Sequence, residues 1–117
     1  MEFRKRLYTD HIYVVKMDLN GATRDQLYKA ARRAGELDTG YHYILHNDGT
    51  VEIDRQPNTC VAQYNFENAN TSVYILADCK KGKLSDAQRI ILVSISKEFP
   101  TAEVHEVTND QFILYSN

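Results

Sequence analysis

Along the chain, apolar positions recur with two different periods, and the switches between them mark the elements. Ile12-Tyr13-Val14-Val15-Lys16-Met17 is a short run rich in β-branched residues and predicts a buried strand. Its alternation sets Tyr13, Val15 and Met17 on one face and Ile12, Val14 and Lys16 on the other. Asp18 to Gly21 reads as a loop. Thr23 then predicts a helix start, because Gln26 three residues on completes a capping box. Leu27, Ala30, Ala31 and Ala34 recur at helical spacing, Arg24, Asp25, Lys29, Arg32 and Arg33 are expected to face outward, and Gly35 suits the end of the helix. Tyr41 to His46 and Thr50 to Asp54 alternate as strands around Asn47-Asp48-Gly49, a turn sequence tolerant of positive φ, and Pro57 closes the second strand. Asn58 to Thr71 is polar and asparagine-rich, with Tyr64 and Phe66 interleaved, and reads as an ordered loop. Ser72 to Ala77 predicts a central strand, and Asp78 to Lys83 a charged turn. Ser85 with Gln88 forms a second capping box, opening a helix whose apolar face is expected from Ala87, Ile90, Ile91, Val93, Ile95 and Phe99, with Pro100 after its end. Ala102 to Val107 reads as a strand, and Phe112 to Tyr115 as a last one after the turn Thr108 to Gln111. The order predicts an α/β fold: a single domain over residues 1–117 with a mixed sheet flanked by helices.

Composition narrows the function classes. The 117 residues suffice for one modest core, and 43% hydrophobic with 26% charged residues is the balance of an ordinary globular chain. The formal net charge of −2 gives no reason to expect duplex nucleic acid as a partner. Met1 to Arg6 lacks the apolar run of a signal peptide, and no stretch has the length and apolarity of a membrane span, so a cytoplasmic site of action is expected. The two cysteines, Cys60 and Cys79, have no metal-ligand spacing and are expected to be buried reduced thiols. Arg24, Lys29, Arg32 and Arg33, and the loop lysines Lys80, Lys81 and Lys83, are expected to be solvated surface.

The run Gly40-Tyr41-His42-Tyr43 before Asp48-Gly49-Thr50-Val51 resembles the zinc-dependent N-acetylmuramoyl-L-alanine amidases, the family of phage amidase-type lysozymes and peptidoglycan recognition proteins. Thr9 to Val15 is similar to that family's opening strand, Ala62 to Ser72 to its loop before a central strand, Lys83 to Phe99 to its long helix, and His105-Glu106-Val107 to the start of its metal-binding tail. The resemblance implies where chemistry would sit. The family's first zinc ligand is a histidine ending the first strand, where this chain has Val15; its second falls at His105 or Val104; its third, a cysteine or aspartate, falls near Phe112. A lysine of some phage members falls at Asp110, the loop histidine at Gln63, and the groove tyrosine is retained as Tyr41.

Amide hydrolysis in this family needs zinc as a Lewis acid and a source of hydroxide, and zinc needs three protein donors with an open fourth position. Valine and phenylalanine donate no lone pair. The resemblance therefore implies a non-catalytic descendant with no metal and no cofactor. A histidine set drawn from His11, His42, His46 and His105 is the alternative metal site, set against hydrogen-bonded or surface histidines. An apolar former metal pocket of Val15, Met17 and Tyr41, with Phe112 as a further lining residue, rimmed by Gln63, Tyr64, Asn65 and Asn68 and with Lys16, Arg55 or Lys80 to meet a phosphate, would suit a small ligand. Stacking on tyrosine points to a nucleotide, for which an immune signal is one candidate. Inhibition of a host protein such as RNA polymerase is a second reading, and residual amidase or muropeptide binding a third. The phage members suggest a phage source. The apolar run Phe112 to Tyr115 offers self-association as an alternative to packing on the sheet.

Overall fold

A computed structural model of the chain describes residues 8–35, 39–59 and 71–108. Five strands and two helices run β1 (His11–Met17), α1 (Arg24–Arg33), β2 (Tyr43–Leu45), β3 (Val51–Ile53), β4 (Ser72–Asp78), α2 (Asp86–Glu98) and β5 (Glu103–Thr108). The sheet order is β3-β2-β4-β1-β5. β1 pairs in parallel with β4 and β5, β2 in parallel with β4, and the β2–β3 hairpin is antiparallel. This is the expected mixed sheet flanked by helices. The hairpin strands are shorter than the alternation predicted. A bend at His42 ends the ladder, and the expected loop over Asn58 to Thr71 and the strand at Phe112 to Tyr115 fall largely or wholly outside the described residues.

The alternation of the parallel strands divides the core into two apolar layers. Ile12 and Val14 of β1, Tyr43 and Leu45 of β2, and Val73, Ile75 and Ala77 of β4 pack with Cys79, Leu84 and Ile95 beneath α2. On the opposite face Tyr13, Val15, Ile44, Tyr74 and Leu76 pack with Tyr41 and with Leu27 of α1. All seven residues of β4 are buried, which is why its sequence is continuously apolar between Ser72 and Asp78.

Both capping boxes form as read: Thr23 with Gln26, and Ser85 with Gln88. α1 ends at Ala34, and Gly35 follows at φ +88°. Two expectations about which way side chains face are corrected. Arg24 turns towards the sheet, its Nε 2.6 Å from an oxygen of buried Asp54, because a buried carboxylate needs a charged donor and this outweighs the aversion of a helix start to a cation. On α2, Ile90 and Val93 are exposed, while Ile91, Leu92, Ile95 and Phe99 meet the sheet; a straight helix presents only one stripe to a flat layer.

The hairpin turn is fastened to α2. Ser85 Oγ donates to the Asn47 carbonyl at 2.6 Å, and a Cβ on Gly49, which sits at φ +91°, would meet the Ala87 methyl at 3.2 Å. Glycine is needed there for both backbone and space. The charged turn is a tight hairpin, with Lys81 and Gly82 both at positive φ between bridged Lys80 and Lys83.

Candidate functional site

The position that the sequence marks for a first metal ligand lies at the middle of the sheet. Val15 pairs with Leu76 on β4 and Val107 on β5. Its side chain and that of Tyr41 are both 0% exposed, in one apolar cluster. Met17 packs at the edge of that cluster. Val15, Met17 and Tyr41 share one apolar cluster, in which Val15 and Tyr41 are fully buried beneath Leu27 of α1. A stacking role for Tyr41 would need the core to open. Lys16 projects to the other face, where it pairs with Glu106 at 3.3 Å, away from these residues. Gln63, Tyr64, Asn65, Asn68 and Phe112 lie outside the described residues. Of the two candidates for the second ligand, His105 shares the face of Val15, beside Tyr13, and Val104 faces the α2 side. Among the described residues, this position brings together Val15, Val107 and, one pair along, His105.

The four histidines have separate fates. His42 is buried; its Nδ1 accepts the Tyr74 backbone N–H at 3.0 Å, so Nε2 carries the proton and donates to the Thr59 carbonyl at 2.5 Å. Its backbone bonds to Tyr74, Asp54 and Arg55, so this residue joins the strand end to β4. His46 Nε2 lies 2.6 Å from Glu52, which also accepts the Arg24 backbone N–H at 3.0 Å. Asp54 accepts from Arg24 and from the Thr39 hydroxyl. The Asp54 carboxylate holds the Arg24 guanidinium above its ordinary range. These contacts seat the start of α1 on β3. His11 and His105 meet each other, Nδ1 to Nε2 at 3.0 Å, with a Glu103 oxygen 3.7 Å from His105 Nε2. The sequence reading grouped four histidines and missed Glu103. The alternation of β5 could have shown it, since Glu103 and His105 share parity.

An open cleft of about 560 Å³ lies where β1, β2 and β4 end. Asn20, Gly21, His46, Asn47, Asp48, Thr50, Asp78 and Lys80 line it. Parallel sheets place ligands beyond the carboxyl ends of their strands, because loops there converge without covering the sheet. The cleft is built firmly. Asp78 is buried and accepts from the Leu19 N–H at 2.8 Å and the Gly21 N–H at 3.1 Å, fixing the loop in which Asn20 and Gly21 both take positive φ. Asn47 Nδ2 donates to the Asp78 carbonyl at 3.2 Å. Asp48 accepts the Thr50 N–H, which holds its carboxyl below the usual carboxylate range. In the sequence, Asn20, Gly21, Asn47 and Asp48 carry only a loop or turn signal, while His46 and Lys80 stand out singly as a histidine candidate and a basic residue.

The five-stranded mixed sheet with its two helices has the fold of the N-acetylmuramoyl-L-alanine amidases and peptidoglycan recognition proteins, as its likeness to solved structures shows. The structure is similar to the Ph2119 endolysin of Thermus scotoductus bacteriophage Ph2119, with a TM-score of 0.69 and 21% identity over 89% of this chain and 75% of that one. It is similar to PGRP-Hd from Alvinella pompejana, with a TM-score of 0.71 and 15% identity over 92% and 80%. It also resembles the amidase LysC from Clostridium intestinale URNW, with a TM-score of 0.67 and 13% identity over 91% and 78%. No protein-family model matches the chain. No curated protein matches it at a significant level. At these identities the likeness establishes the fold.

Proposed function

We propose that the chain is a binding protein on the amidase fold that does not hydrolyse peptidoglycan. The observation that carries this reading is Val15, buried between Leu76 and Val107 at the position where the fold's hydrolytic members would place a metal donor. A valine side chain offers no lone pair with which to hold a metal that would activate water. With Tyr41 in the core, the ligand site moves to the cleft beyond the strands. Its mixture of amides, carboxylates, an imidazole and Lys80 suits a small polar molecule carrying both charges, rather than an apolar or purely anionic one.

Two measurements test the reading. Purified cell walls incubated with the protein and zinc should show no turbidity loss beside an active amidase; lysis that a chelator abolishes would overturn it. The protein purified from its native cells and then denatured should release a small molecule visible by mass spectrometry, and Lys80→Ala with Asn47→Ala should release less. A second reading, inhibition of a protein partner in the cell, is favoured by the exposed Ile90, Val93 and Val104, which sit around and beside an apolar groove between α2 and β5 of about 330 Å³. Val93→Asp would abolish such binding and leave the released ligand unchanged.

A further inference from the structure

We infer that His11, Glu103 and His105 form a binding site for one divalent transition-metal ion at the start of the β1–β5 pair. The parallel register sets His11 opposite Glu103 and Tyr13 opposite His105, so the three donors fall on one face through the backbone alone. The side chains converge: one ligand atom of each lies within 4.8 Å of the other two. His11 Nδ1 and His105 Nε2 are 3.0 Å apart, and Glu103 stands 3.7 Å from the latter. Two nitrogens bound to zinc at about 2.0–2.1 Å in a tetrahedral site are about 3.4 Å apart, so small rotations of the rings admit the ion.

Two facing ring nitrogens have a narrow choice. Without metal, one must carry a proton and donate it to the other; a bound ion replaces that proton and takes both lone pairs. The ring of His105 is already oriented, stacked on Tyr13 at 4.8 Å, and Tyr13 is stacked in turn on Tyr74 at 5.4 Å. A held ring gives up less freedom on binding. Glu103 is exposed, so the ion enters from solvent and a fourth position stays open to water or to a ligand group. Two imidazoles and one carboxylate are a donor set that favours zinc over magnesium or calcium. His11 lies four residues before Val15 on β1, about 13 Å along the strand, so the site shares no more than His105 with the inherited ligand set.

The test uses the full chain, stripped with a chelator and titrated with zinc and with cobalt. One ion per chain is expected, with the visible absorption of tetrahedral cobalt, and zinc should raise the melting temperature. His11→Ala and His105→Ala should each weaken binding by about a hundred-fold, since one of three protein ligands is lost. Glu98→Gln, a surface control, should change nothing. If His105→Ala loses its circular dichroism, His105→Gln replaces it. Binding by the wild type no tighter than by the histidine variants overturns the site. The inference stands apart from the non-hydrolytic reading: zinc bound without wall lysis supports both, zinc bound with chelator-sensitive lysis overturns that reading alone, and no zinc overturns the site alone.

Discussion

Gln88 serves the backbone twice. Its Oε1 accepts the Ser85 N–H at 2.9 Å, closing the cap, and its Nε2 donates to the Leu45 carbonyl at 3.1 Å and the Asp78 carbonyl at 2.9 Å. Being fully buried, it joins the ends of β2 and β4 to the start of α2. Gln88→Ala should destabilise the fold by about 3 kcal/mol, because buried groups left without partners cost roughly 1–3 kcal/mol each; the denaturant midpoint measures it. Its neighbour Cys79 shows what burial does to an ionisable group, as the thiol is pushed up to about 11. The folded state therefore holds its proton where the unfolded chain releases it. The contribution is full below the ordinary value of 9.0 and is lost as pH rises from there towards 11. In a Cys60→Ser background, Cys79 should resist a thiol reagent at pH 8 until the chain unfolds, and Cys79→Ala should remove this part of the alkaline loss of stability. Both cap roles were legible in sequence. The second role of Gln88 was not, since carbonyls at strand ends leave no sequence mark. Likewise the partner of Arg24 lies 30 residues away, out of reach of any helix pattern.

α2 shows how a correct element can carry a wrong face. Six apolar positions were assigned inward, yet Ile90 is 68% exposed and Ile95 only 7%. Ile90→Lys should change stability by no more than about 0.5 kcal/mol, whereas Ile95→Ala should cost about 2–4 kcal/mol, compared by thermal or urea unfolding. Equal losses would place Ile90 in the core. β1 and β4 were legible because continuous β-branched runs have few other uses. The His11–Glu103–His105 group was not, because it depends on β1 and β5 being neighbours, and strand order has no local signature. The cleft was missed for the same reason: its lining comes from three strand ends that read singly as turns.

Across the whole molecule, protection should follow the sheet order. β4 lies between β2 and β1 with every residue buried, while β3 and β5 stand at the ends of the described sheet. Hydrogen exchange followed by mass spectrometry should find the amides of β4 and β1 slowest and those of β3 fastest. Uniform exchange across the strands would contradict this ranking. Among the described residues, no helix is long and apolar enough to cross a membrane. The order of the strands also sets a timetable. β1 is made first, but its neighbours are β4 and β5, which end at Asp78 and Thr108. On the ribosome, only the β2–β3 hairpin finds its partner early. The apolar run from Ile12 to Val15 must wait, unpaired, for sixty residues or so of further synthesis, and nascent chains halted before Asp78 should be the ones that chaperones hold and proteases cut.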